Sequence, residues 1–215
     1  MRYLRPIGVL MPGRRLSRSP LIRSYGNGLT SVIYAGSVAP APVTIEIPPE
    51  ADSFVQSYYP NNNYGTLTYW GVGVSQAPNI ARAFLRFPLT AIPSGKTINY
   101  AKLCQYVWQI WGTIPYQRRY DLHFVPTDTW GETTITYNNQ PPPGAVLIYN
   151  TQIAAVGWYN YDITDQVRIE YQGDGKISLR WRDNPENTNY WEGYYAYSKE
   201  YSDPNYRPFL RVEYV

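Results

Sequence analysis

The 215 residues hold a single cysteine and a single histidine. A lone Cys104 excludes an intrachain disulfide framework and a cysteine zinc site, and a lone His123 removes the paired histidines of most catalytic metal centres. Cys104, within "YAKLCQYVWQIW", reads as a small core residue rather than a nucleophile, and His123, within "YDLHFVPT", as structural. No apolar run approaches the roughly 18 residues of a membrane span. The basic start "IGVLMPG" is too short for a signal-peptide apolar region, and Pro12, Arg14 and Arg15 interrupt it, so neither export signal nor membrane attachment is expected. Phosphate loops, nucleophile elbows and metalloprotease helices are absent as motifs. Charge is sparse at 16%, whereas tyrosine alone supplies 23 residues and tryptophan 7, a balance that favours half-buried pleated surfaces over helices.

Charge is also unevenly placed. Residues 1–42 contain Arg2, Arg5, Arg14, Arg15, Arg18 and Arg23 and no acid, a net of +6, while the remaining 13 basic and 16 acidic groups leave −3. Opposite signs suggest an arm that lies against an acidic protein surface, on this chain, another copy or a different protein. The arginines are dispersed among Leu, Ile, Val and Pro instead of clustered, which favours protein over nucleic acid. Pro6, Pro12, Pro20, Pro40 and Pro42 punctuate the arm, so it is expected to be extended and to order by docking, with "LTSVIYAG" (29–36) able to add a strand to a sheet edge.

From residue 43 onward, twelve short β-segments alternate with turns: "VTIEI", "SFVQS", "LTYWGVGV", "ARAFLRFPL", "INYAKLCQYVWQIW", "RYDLHFVP", "TTITY", "AVLIY", "GWYNYDI", "KISLRWR", "YWEGYYAYS" and "PFLRVEYV". Such spacing predicts an all-β antiparallel sandwich. In "ARAFLRF", Ala81, Ala83, Leu85 and Phe87 share one face and Arg82, Phe84 and Arg86 the other, which predicts cover on one side only. One helix is expected at "DITDQVRIEYQ", capped by Asp162 or Thr164, with Ile163, Val167 and Tyr171 as its buried stripe and Gly173 as its stop.

Five landmarks in order carry a resemblance: "ADSFVQSYYPNNNYG" (51–65), "RAFLRFPLTAIPSGKTINYAKL" (82–103), "TDTWGETTITYNNQPPPG" (127–144), "GWYNYDITDQV" (157–167) and "RPFLRVEYV" (207–215). Together they resemble the DNRLRE domain, a group related to disaggregatase repeats and to alginate-type carbohydrate-binding modules. The resemblance implies a jelly-roll-type sandwich over residues 43–215 without an intrinsic catalytic centre, carried by surface proteins, polysaccharide-active enzymes and some phage proteins. Residues 1–42 have no counterpart in it.

Candidate chemistry is correspondingly thin. Asp121, Asp128, Glu132, Asp162 and Asp165 form no pair whose spacing identifies a general acid and base, so the chain is read as non-enzymatic. Asp52 with Asn62 and neighbouring amides offers oxygen donors that suit calcium, but without EF-hand spacing; the alternative is an Asn-rich turn with Gly65 left-handed, and no other cofactor is indicated. In "NYWEGYYAYSKEY" an aromatic row arises, Trp191, Tyr195 and Tyr197 on one strand face and Tyr190 and Tyr194 on the other, able to stack on sugars, anchor a protein or pack across strands. Trp130 in "TWGETTITYNNQPPPG" is read as a plug at the sandwich end, with that stretch a structural corner.

The favoured reading is a non-catalytic structural or adhesion protein of a phage or virus particle, a decoration, cement or fibre component made in the host cytoplasm, docked to itself or to other virion proteins through its arm. The alternatives are an extracellular or cell-surface module binding an acidic polysaccharide, whose carboxylates pair with the arginines of "ARAFLRF" or with Arg180 and Arg182, and a strand-exchanged surface filament. Deletion of residues 1–42 separates them: a binding module keeps its glycan, whereas an assembly protein stays soluble but is no longer incorporated, as sedimentation of assembled particles would show.

Overall fold

The computed structural model describes the backbone of residues 21–24 and 30–33, and residues 39–75, 79–112, 118–186 and 191–215. Residues 1–41 and 42–215 form two units. In the first, β1 (Leu21–Ser24) and β2 (Thr30–Ile33) pair antiparallel, from Leu21 opposite Ile33 to Ser24 opposite Thr30. The strand expected within 29–36 thus forms and is paired inside the arm itself. Arg23 lies in β1, its backbone opposite Ser31; Arg2, Arg5, Arg14, Arg15 and Arg18 fall outside the described residues.

The second unit is an antiparallel sheet of eleven strands among the described residues, curled into a β-sandwich: β3 (Val43–Ile47), β4 (Ala51–Gln56), β5 (Tyr69–Ser75), β6 (Asn79–Pro88), β7 (Ile98–Gly112), β8 (Arg119–Val125), β9 (Val146–Thr151), β10 (Gly157–Asp162), β11 (Lys176–Asn184), β12 (Glu192–Tyr197) and β13 (Phe209–Tyr214). The 15-residue β7 is the spine of one half. One of its edges pairs first with β13 over 98–104 and then with β12 over 107–112, while the other edge pairs with β10 over 102–107. In the other half β6 pairs with β4 and β11 on opposite edges, and β8 and β9 continue beyond β11. β5, bonded to both β12 and β6, joins the halves.

Alternation sorts side chains as a two-period strand requires. On β5 Trp70, Val72 and Val74 are buried, as are Tyr194 and Ala196 on β12, and Leu103 and Val107 on β7; with Leu85, Leu122, Leu179 and Trp181 they form the inner core. The helix α1 (Thr164–Gln172) closes against this core with Ile163 and Val167 buried and Tyr171 donating from its hydroxyl to the Pro93 carbonyl. Asp162 accepts from the Thr164 N–H and hydroxyl, and Gly173 follows the last turn.

The expected strand at 133–137 does not form. Its donors are taken locally: the Thr134 and Ile135 N–H groups donate to the Gly131 carbonyl, the Thr136 N–H to Asn139 Oδ1, and the Asn139 and Gln140 amides to the Thr134 and Tyr137 carbonyls. Side-chain amides thereby replace the ladder partner that a strand would need. The resulting corner does not plug the sandwich end; it lies over the second face of β6. Trp130 packs 5.9 Å from Phe84, with Ile135, Ala51, Val55 and Val125 completing a small second core, and the Trp130 indole N–H donates to Ser178 Oγ. β6 is therefore covered on both sides, contrary to the one-sided cover read from its alternation. Burial of an indole of this kind contributes on the order of 3 kcal/mol. Gly65 is required by space rather than by a left-handed backbone, because a Cβ there would penetrate the Glu132 carbonyl. Cys104 is buried, and burial pushes its thiol up.

His123, buried in β8, donates from Nδ1 to the Gly144 carbonyl of the corner, leaving Nε2 buried without a partner. Burial depresses its pKa against the opposing pull of the Gly144 hydrogen bond, with Arg182 and Arg180 adding to the depression and Asp121 also opposing it. The neutral ring is the folded form, so its contribution is complete above the unfolded value of about 6.5 and is lost as pH falls below it. Urea midpoints at pH 8 and pH 5 should show a larger acid loss in the native chain than in His123→Gln; equal losses would exclude this role.

Candidate functional site

The outer face of β5, β12 and β7 carries rings seated on glycine. Along β5 the outward positions are Tyr69, Gly71, Gly73 and Ser75, and along β12 they are Gly193, Tyr195 and Tyr197, the complements of the buried positions above. Gly71 lies opposite Tyr195, and Gly193 lies between Gly73 and Trp111 in the ladder. A Cβ on Gly71 would come within 2.9 Å of the Tyr195 ring, and one on Gly193 would overlap both the Trp111 indole and the Val72 backbone carbonyl. Glycine is the residue that lets both rings lie across the sheet instead of standing away from it.

A bulge completes the face. β12 pairs Tyr195 with Gln109 but Ala196 with Val107, so Trp108 has no opposite residue, and Trp108, Gln109 and Trp111 share the outer side. Ring centroids then follow one another: Trp191 to Trp111 at 6.2 Å, Trp111 to Tyr195 at 5.9 Å, Tyr195 to Trp108 at 5.7 Å, Trp108 to Tyr197 at 5.8 Å, Tyr197 to Tyr106 at 6.0 Å and Tyr106 to Trp158 at 5.6 Å. Tyr69 meets Tyr195 edge-on, and Tyr201 stacks on Tyr197. Such contacts contribute about 0.5–1.5 kcal/mol each beyond burial, so the row is held rigid before any ligand arrives. Two of its phenols are held further from ionisation: Tyr197 is pushed up to about 12 by its hydrogen bond with Tyr201, and burial raises Tyr195.

At one end a shallow pocket of about 330 Å³ is lined by Ser75, Gln109, Trp111, Trp191 and Tyr195, and Trp191 is 49% exposed. Beneath this end, buried Arg118 pairs with Asp183 and lies 3.7 Å from Glu192, the first residue of β12, which pins the strand that carries the rings. The chemistry available is stacking of apolar ring faces flanked by a hydroxyl and an amide.

Of the row read from sequence, Trp191, Tyr195 and Tyr197 are brought together on this face. Tyr194 is not: it is 0% exposed, packed edge-on against Trp70 and Tyr120 in the core, and is no surface contact. Tyr190 lies outside the described residues. Sequence reading missed Trp108, Trp111, Tyr106 and Trp158; the glycines at alternate positions of "YWGVGVS" were the available signal.

The arginines offered for uronate carboxylates are already engaged. Arg82 makes two 2.6 Å bonds to Glu186, Arg86 pairs with Glu50 and donates to the Asp128 and Trp130 carbonyls, Arg182 pairs with Asp121 and Arg180 is buried. Arg82 and Arg86 also cover the Tyr137 and Trp130 rings at 5.0 and 4.8 Å. The five carboxylates considered for catalysis stand in separate local roles: Asp121 with Arg182 and Asn184, Asp128 with Ser178, Glu132 with Lys199 and the Asp52 N–H, Asp162 at the helix start, and Asp165 with Arg168.

Asp52 is buried beside Glu132 and Glu200, with one oxygen of each within 4.8 Å of the others. Burial, reinforced by those two carboxylates, raises its pKa. The Lys199 ammonium pairs with Glu132 and Glu200, and the Lys199 N–H donates to Asp52. Asn62 is exposed in the adjacent turn, its N–H donating to the Tyr59 carbonyl.

An antiparallel sandwich with a preformed outer row of rings is an architecture that carbohydrate-binding modules use. Residues 43–214 match carbohydrate-binding module family 96, and the chain belongs to that family. Among curated proteins no sequence matches the chain. Membership meets the coarse content of the resemblance, a sandwich of the carbohydrate-binding type, and favours the polysaccharide alternative over the virion reading. No helix of the described residues is long and apolar enough to cross a membrane.

The glycine seat is testable. Gly71→Ala should push the Tyr195 ring off the sheet, because the added methyl meets that ring and no backbone atom closer than 3.8 Å. The expected result is a changed near-ultraviolet circular dichroism band, since Tyr195 would shift against Tyr69, Trp108 and Trp111; an unaltered band would show that the ring does not depend on the seat.

Proposed function

We propose that this protein is a non-catalytic module that holds a polysaccharide by stacking its sugar rings on the outer aromatic face of β5, β12 and β7. The observation that carries the reading is the pair of rings, Trp111 and Tyr195, seated on Gly193 and Gly71 beside the half-exposed Trp191. A buried core has no use for indole faces held open to solvent next to a hydroxyl and an amide, whereas a pyranose offers an apolar face to stack and hydroxyls to hydrogen-bond. Rigid seating supports affinity because little side-chain entropy remains to be lost on binding. Family membership supports the same class of ligand. The place of action is then outside the cell or at its surface, where polysaccharides are met, and the arginine-bearing residues 1–42 serve to dock the module to a protein partner.

Trp191→Ala and Trp111→Ala should each weaken binding to the recognised polysaccharide at least about tenfold, roughly 1.4 kcal/mol, in affinity electrophoresis. Arg86→Ala, which breaks contacts on the corner face, should lower stability while leaving binding intact. Native-like binding by both tryptophan variants would place the site elsewhere.

A further inference from the structure

The ring row does not stop at the first pocket. Beyond Tyr106, Trp158 of β10 turns toward Phe209 of β13, their centroids 5.4 Å apart across β7, at the level of Cys104, which pairs with Phe209 on one side and Asn160 on the other. Trp158 is 38% exposed. With Asn160, Asn205, Glu46, Arg211 and Pro204 these rings line a second depression of about 400 Å³. From Trp111 to Cys104 is seven residues of β7, roughly 23 Å at the rise of a strand.

Resting on the reading of the first pocket as a glycan site, we propose that this depression is a second sugar subsite, and that one uncharged polysaccharide chain runs along β7 from Trp191 to Trp158. The occupant follows from three observations. The second pocket is continuous with the first through stacked rings, so the same ligand can reach both. Its polar lining is that of a hydroxyl-binding site: Asn160 has an exposed amide with no hydrogen bond among the described residues, Asn205 uses its Nδ2 and backbone N–H on Asp203 and keeps its carbonyl oxygen, and Glu46 is a carboxylate able to accept from a sugar hydroxyl. Third, charge in the two pockets is self-compensated. The first is lined by neutral groups, and in the second Arg211 donates from Nε and Nη2 to Glu46, at 3.2 and 2.8 Å. The nearby Lys102 lies over the Tyr100 ring at 5.4 Å. A polyuronate would therefore meet the Glu46 carboxylate with the pocket's arginine already spent on it, whereas a neutral chain meets no such penalty.

The test is affinity electrophoresis of the full chain in gels containing mixed-linkage β-glucan, galactomannan, arabinoxylan or alginate, with melting curves as the folding control. The expected result is retardation by at least one of the three neutral polymers, unaffected by added salt, and not by alginate. Trp158→Ala should weaken that retardation about tenfold, Asn160→Ala, which leaves every ring in place, about threefold, and Trp191→Ala about as much as Trp158→Ala. Native-like retardation of both Trp158→Ala and Asn160→Ala, with loss in Trp191→Ala, would overturn the second subsite and leave the first pocket standing. Retardation by alginate alone, reversed by salt, would overturn the uncharged ligand. Failure of the native chain to bind any of the four polymers would overturn both this inference and the function on which it rests.

Discussion

Two aromatic rings can lie flat on a sheet only where the strand beneath them has no side chain. Gly71 and Gly193 meet that condition under Tyr195 and Trp111, and an added Cβ at either position collides with the ring above it. Interior glycines cost a strand conformational entropy and packing, about 0.5–1 kcal/mol each relative to alanine. The rings repay that by covering the backbone they expose, and each ring then supports the next. Tyr195 contacts Tyr69, Trp108 and Trp111, so shifting it disturbs the centre of the row and not one contact alone. Held this way, the faces are ordered before a ligand arrives, and binding is spared much of the rotamer entropy that free surface tyrosines would lose.

The opposite half of the molecule puts similar residues to a different use. On the outer face of β6, Arg86 covers the Trp130 indole and Arg82 the Tyr137 ring, as guanidinium groups do when they shield an aromatic from water. Both arginines are then locked by Glu50 and Glu186. The difference between the faces is cover: the corner lies over β6 and closes a second core, whereas the glycine-seated rings carry nothing comparable among the described residues. Aromatic content alone therefore could not separate a binding face from a packing face. The position of the cations and of the corner does so.

That distinction marks what could be read in advance. The strands were legible because period-two alternation and turn residues are local signals, and the helix was legible from its capping residues and four-residue stripe. Residues 133–137 alternate just as well, but Asn139 and Gln140 bond the backbone that a ladder would need, and such competition depends on the folded loop. The two-sided burial of β6 follows from the same corner and is likewise invisible to alternation. Trp191, Tyr195 and Tyr197 were recoverable because they share one short strand. Trp111 was not: strict alternation along β7 places it opposite Trp108, and the bulge at Trp108 that brings both to one side is fixed by the pairing with β12. Tyr194 shows the converse, since a tyrosine in an aromatic-rich strand reads equally well as surface or core until its partners Trp70 and Tyr120 are known.

The length of β7 ties the two ends of the aromatic face together. Fifteen residues exceed an ordinary strand, and no single neighbour here pairs with all of them, so β13 and β12 share one edge in tandem while β10 bridges the gap between them on the other. The rings at each end belong to these flanking strands: Trp191 and Tyr195 to β12 and the residue before it, Phe209 to β13, Trp158 to β10. Their spacing is consequently set by hydrogen-bonded ladder and not by loop conformation. A polymer with a regular repeat is best matched by stacking positions at fixed intervals, because drift of one position would forfeit contacts at the next, and sites built on strands hold their geometry more closely than sites built on loops. The bulge at Trp108 then has a functional as well as a structural sense: it advances the register by one residue midway along the row, and so carries Trp111 onto the face where the remaining rings already stand.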